Sequence, residues 1–83
     1  MKQIDKRFFI KDIERLKNSV SGNPKFRLYL TSVYSDDEYT GTTATDYTIG
    51  YEICPQDKNK YITFRYYYTK SGKMVITRLM ERG

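Results

Sequence analysis

The chain has 83 residues, with fifteen Lys or Arg against ten Asp or Glu, nine tyrosines, one cysteine and no histidine, and a net charge of +5. That length holds one domain (1–83) with a small core burying roughly 60–65% of its unfolded surface, so an enclosed enzymatic pocket is not expected. Without histidine the ordinary near-neutral proton shuttle is missing, and Cys54 alone provides neither a disulfide framework nor a tetrahedral zinc site.

Phe9, Ile13, Leu16 and Val20 recur at i, i+4, i+7 and i+11, which predicts an amphipathic helix over residues 7–19. Asp5 would be its N-cap, with Lys11 and Arg15 one turn apart on the exposed face. Gly22 and Pro24 in "SVSGNP" would end it. "KFRLYLTS" then alternates as a half-buried strand, with Phe26, Leu28 and Leu30 inward and Lys25, Arg27, Tyr29 and Thr31 outward. "VYSDDEYTG" reads as a polar hairpin connection into a short strand around residues 38–42.

The next segment, "TTATDYTIGYEIC", fits two periods. Tyr47, Ile49, Tyr51 and Ile53 alternate as in a strand, while Thr43 with Asp46 resembles a capping box and the same apolar residues pair at i, i+4. A helix of two or three turns is the preferred reading, with an extra strand around 44–54 as the alternative. Pro55 then opens a loop, "CPQDKNK". Finally, Ile62, Phe64, Tyr66 and Tyr68 alternate with Tyr61, Thr63, Arg65 and Tyr67, "TKSGK" turns the chain and "MVITRLM" returns. The predicted architecture is α+β: an N-terminal helix packed on one face of an antiparallel sheet of about four strands.

No leader-like apolar run opens the sequence and no stretch approaches the roughly 18 apolar residues of a membrane span, so a bacterial cytoplasm is the expected location. With these segments placed, the chain resembles a loose family of small uncharacterised proteins of tailed phages, prophages and other mobile elements. The likeness rests on "RLKNS", "GNPKFRLYLT", "TATDYTIGYEI" and "YYYTKSGKMV" in that order, over roughly residues 13–79. The chain departs from that pattern in the longer acidic "SVYSDDEYTG" and in "CPQDKNK". The resemblance implies a source rather than a mechanism. Small phage proteins often bind a host protein, as the inhibitors of host defence called anti-CRISPR proteins do.

Charge is segregated: residues 1–27 and 58–83 are basic, whereas 28–57 contain no Lys or Arg and six acids. Either the halves neutralise each other across the folded surface, or they form a two-signed binding surface. The outward positions Lys25, Arg27, Tyr29, Arg65 and Tyr67, with Lys70, Lys73 and Arg78, offer cations for phosphates and flat rings for bases. They are the candidate contacts for nucleic acid or for a partner. The register of the last hairpin bears on this. A type I turn with Gly72 as the bulge residue pairs Tyr68 with Met74 and Tyr66 with Ile76, whereas a two-residue turn sets Arg65 opposite Arg78. Glycine at that position favours the first.

The acidic loop residues Asp36, Asp37 and Glu38 give the opposite reading, a protruding mimic of nucleic acid that occupies the basic groove of a host protein. They lack the glycine and spacing of a calcium loop, so no metal is expected there. No catalytic pair stands at a recognisable spacing, and no cofactor is expected. The expectation is a non-enzymatic binding protein acting on nucleic acid, a host protein or a nucleoprotein complex. The competing class is an assembly protein forming a homo-oligomer through a strand edge or the aromatic face. A histidine-free nuclease is a third, weaker alternative.

Overall fold

A computed structural model of the protein describes residues 2–20, 22–45 and 49–82. Among these residues five strands run in the order β1 (Ile4–Arg15), β2 (Phe26–Ser32), β3 (Glu38–Thr43), β4 (Tyr61–Tyr68) and β5 (Met74–Arg82). One helical turn, α1 (Ile49–Glu52), and a 3-10 turn (Pro55–Asp57) lie between β3 and β4. The strands close into a barrel in the cyclic order β1-β2-β3-β5-β4. Every seam is antiparallel except β3/β5, which is parallel.

This overturns the α+β expectation. The helix predicted over residues 7–19 does not form, and most of that segment lies in the longest strand, paired with β2 on one side and β4 on the other. Asp5 caps nothing. The true period is two, with Ile4, Lys6, Phe8 and Ile10 inward and Asp5, Arg7 and Phe9 outward. It was disguised twice. Lys6 occupies an inward position where an apolar residue would have completed the pattern, its ammonium 5.6 Å from the Phe8 ring centroid and 5.1 Å from that of Tyr39. A bulge then adds Lys11 between Ile10, opposite Leu30, and Asp12, opposite Tyr29, so that Ile13 resumes the inward face three residues after Ile10. Three-residue spacing is what a helix would also show. Val20, the last member of the apparent stripe, is fully exposed.

β2, β3 and the β4/β5 hairpin lie where the sequence placed them. Phe26, Leu28, Leu30, Ile62, Phe64 and Tyr66 point inward and are buried, but Tyr68, expected in the core, is exposed. Its ring stands edge-on to Tyr66, which in turn packs against Phe8. Among the described residues of the 44–54 segment one helical turn is present; Asp46, Tyr47 and Thr48 lie outside the described residues. Ile49 and Ile53 are buried in the barrel core. α1 sits so close to the β1–β2 connection that a Cβ built on Gly50 would lie 1.9 Å from the Pro24 carbonyl oxygen. Asn23 secures the same contact, donating from Nδ2 to the Thr45 carbonyl at 2.6 Å.

Acids and bases from distant parts of the chain meet on this frame. Lys11 pairs with Glu38, Arg27 with Glu14, Lys58 with Asp12, Arg65 with Asp5 and Arg82 with Asp57. Only Asp57 is buried among these carboxylates. Arg82 reaches it with Nε and Nη2, and the Cys54 backbone N–H donates to it at 3.0 Å. Among the described residues no helix is long and apolar enough to cross a membrane.

Candidate nucleic-acid interface

The strand registers define a row across the outside of the barrel. Arg27 of β2 is opposite Thr42 of β3, Thr42 opposite Val75 of β5, and Val75 opposite Tyr67 of β4. All four side chains point outward, because their neighbours Phe26, Thr43, Ile76 and Tyr66 are the buried set. The two middle residues are short and the two outer ones long, so the row is a trough with Arg27 on one wall and Tyr67 on the other. Lys25 and Lys73 precede Arg27 and Val75 by two residues and share their outward face. The result is a cleft of about 400 Å³ lined by Leu16, Lys25, Arg27, Thr42, Tyr67, Thr69, Lys73 and Val75, among others. A second hollow shares Arg27, Thr42 and Lys73 and extends it past Thr40, Tyr68 and Gly72.

Two connections border the cleft. The β1–β2 connection closes where the Leu16 N–H donates to the Lys25 carbonyl at 2.9 Å, with Arg15 Nη1 donating to the same oxygen. On the far side the Thr69–Lys73 turn is held by Thr69 N–H to the Lys73 carbonyl and Gly72 N–H to the Thr69 carbonyl, with Gly72 at φ +83°. Glycine tolerates that conformation without a steric penalty. The Lys73 N–H also donates to Thr69 Oγ1 at 3.1 Å, fixing the backbone that carries the lysine.

The turn sets the first of the two expected registers, Tyr68 opposite Met74 and Tyr66 opposite Ile76. A bulge at Thr77 then advances β5 by one residue, and Arg65 faces Arg78 after all. Thr77 is buried, its hydroxyl 3.0 Å from Gln3 Oε1 and 3.2 Å from the Arg65 carbonyl oxygen. The two arginines tolerate each other because Asp5, opposite Arg65 on β1, accepts from Arg65 Nε at 2.8 Å and Nη2 at 3.2 Å. Those bonds hold the Asp5 carboxyl below the usual carboxylate range.

The expected contact residues are therefore sorted by the barrel rather than gathered on one sheet face. Lys25, Arg27, Tyr67 and Lys73 line the cleft, and Lys70 stands on its bordering turn. Arg65 and Arg78 lie beyond Tyr67 and Val75 on the same two strands. Tyr29 lies beside Arg27 on the same face of β2 but outside the cleft lining, and both meet Glu14 of β1, the Tyr29 hydroxyl donating to Oε1 at 2.8 Å and Arg27 Nη1 at 3.1 Å. Among the described residues Lys25, Lys70, Lys73 and Arg78 enter no ion pair, whereas Arg27 is held by Glu14 at 3.1 Å.

The acidic loop is less free than its sequence suggested. Glu38 is bonded to Lys11, which depresses its carboxyl, and Asp37 accepts from the Ser35 hydroxyl at 3.0 Å. Asp36 stays exposed beside Tyr34. No group of three or more His, Cys, Asp or Glu among the described residues could hold a metal ion. Sequence reasoning missed the cleft floor, Thr42 and Val75, since no local pattern announces a parallel seam between distant strands. It also missed the Asp57–Arg82 pair. No family model, curated protein or solved structure matches the chain.

Proposed function

We propose that the protein is a non-enzymatic binding protein whose ligand is single-stranded nucleic acid laid across the cleft between Arg27 and Tyr67. The observation that carries this reading is the convergence of Lys25, Arg27, Tyr67 and Lys73, from three separate parts of the chain, on one trough with a low Thr42–Val75 floor. Cations track the phosphates and the tyrosine offers a face for one base, a contact worth roughly 1–3 kcal/mol. Duplex DNA needs a projecting helix or ribbon to enter its major groove, and the cleft is a recess instead.

The architecture adds weight by analogy. A five-stranded closed barrel with parallel β3 and β5 and a helix before β4 has the order of the OB-fold, whose second and third strands and flanking loops commonly take oligonucleotides or oligosaccharides. Closure also shortens the free strand edge on which an assembly protein would rely, leaving the β3 side of β5 without a strand partner only beyond Ile76.

The test is anisotropy of labelled single-stranded and duplex oligonucleotides at two salt concentrations. Single strands should bind more tightly. Lys25→Ala and Lys73→Ala should each flatten the salt dependence by about 0.7 in log–log slope. No binding at low salt refutes the reading. Affinity capture from a bacterial lysate that survives nuclease treatment would point to a host protein as the ligand instead.

A further inference from the structure

Beyond the cleft, the outward residues of β4 continue as Tyr67, Arg65, Thr63 and Tyr61, one every two positions on a strand without bulges. We infer that β4 is a track along which the bound strand leaves the cleft and ends on a second stacking platform, built from Tyr61, Phe9 and Arg7 on the β1/β4 face. This rests on the proposed nucleic-acid reading and deepens it.

The platform is assembled by register. Phe9 is opposite Tyr61 and Arg7 opposite Thr63. Tyr61 is exposed and stands edge-on to Phe9, ring centroids 5.2 Å apart, with the Arg7 guanidinium 5.2 Å from the Tyr61 centroid. An outward aromatic pair with a guanidinium on it presents both a face for a base and a charge for the neighbouring phosphate. Between cleft and platform, Arg78 enters no ion pair among the described residues, while Arg65 is shared with Asp5. Asp5 is thus neutralised where the strand passes; the carboxylates the strand must skirt are Glu81, opposite Thr63, and Asp36, which shares a hollow with Phe9 and Tyr61 and with a Glu38 already paired to Lys11. Six residues separate Tyr67 from Tyr61, about 20 Å along a strand rising roughly 3.3 Å per residue. Several nucleotides fit that length, within the roughly 4–16 that one barrel of this kind occupies.

The occupant is nucleic acid rather than an apolar partner because cations stand beside the rings along the track, Arg65 and Arg78 next to Tyr67 and Arg7 on Tyr61. The experiment measures oligothymidylates of about 4 and about 12 nucleotides, spanning those site sizes, against the native protein, Tyr61→Ala, Tyr61→Phe, Arg7→Ala and Tyr67→Ala. The longer strand should bind the native protein at least about fivefold more tightly than length statistics alone provide, a gain set by one further stacked base. Tyr61→Ala and Arg7→Ala should abolish that gain, Tyr61→Phe should keep it, and Tyr67→Ala should weaken both lengths. A gain that survives Tyr61→Ala, or no gain at all, overturns the track while leaving the cleft standing. Failure of every oligonucleotide to bind overturns both.

Discussion

Replacing Asp57 by Asn should destabilise the barrel more than any other change at a charged position. The carboxylate is almost fully buried and accepts from Arg82 Nε at 3.2 Å, Arg82 Nη2 at 3.1 Å and the Cys54 N–H at 3.0 Å. Removing one partner of a buried ion pair costs about 3–5 kcal/mol, but Arg82 is half exposed and regains water, which lowers the expected loss to about 2–4 kcal/mol. A domain of this size has only about 4–12 kcal/mol in total, so the melting temperature should fall by about 10–25 °C. The pH dependence gives a second readout. Burial pushes the Asp57 carboxyl up, yet the bonds from Arg82 and from the Cys54 N–H outweigh it and hold it below its usual value. A carboxyl depressed on folding contributes stability that is complete above its unfolded pKa of about 3.9 and is lost as pH falls through the folded value. Urea unfolding followed by circular dichroism should show a wide gap between native protein and Asp57→Asn at neutral pH, closing on acidification below about pH 4. Equal midpoints at neutral pH, or a gap undiminished in acid, would refute the argument.

Three further outcomes follow from the packing. Gly50→Ala meets the Pro24 carbonyl, a backbone atom that cannot swing aside, and should cost about 1–3 kcal/mol in a denaturant titration. Gly72→Ala meets no atom within 4 Å but must hold φ +83°, so about 1–2 kcal/mol of backbone strain should appear in the same assay. Tyr66→Ala, in the core, should lose about 3–5 kcal/mol, whereas its neighbour Tyr67→Ala should unfold near the native midpoint and weaken oligonucleotide binding instead.

Much of this molecule was legible in local pattern. Phe26 to Ser32 and Tyr61 to Tyr68 alternate cleanly because each has one face on a core and one toward solvent. Gly72 announced the turn that sets the hairpin register. β1 was misread because a bulge and an inward lysine give a strand the apolar spacing of a helix. A twelve-residue strand paired on both edges is stabilised by partners as far along the chain as Tyr66 is from Ile4, which no local window contains. The same limit applies to the candidate site. Lys25, Arg27, Tyr67 and Lys73 were recognisable as outward cations and rings, but they were grouped with Tyr29 and Arg65 as if the sheet were flat. Glu14 of β1 holds Tyr29 and Arg27 together at the outer side of the cleft, and the crossover of β3 to β5 supplies the floor that turns four side chains into a recess.

That crossover has a mechanical side. The β3/β5 seam pairs only Gly41, Thr42 and Thr43 with Met74, Val75 and Ile76, whereas the other four seams run for five to seven pairs, and its pairing is parallel. It is the stave joint at which this barrel should first part during breathing motions, and Thr42 and Val75 of that joint floor the cleft. A strand lying from Arg27 to Tyr67 would therefore act as a hoop, slowing amide exchange along Gly41 to Thr43 well before it touches the exchange of β1.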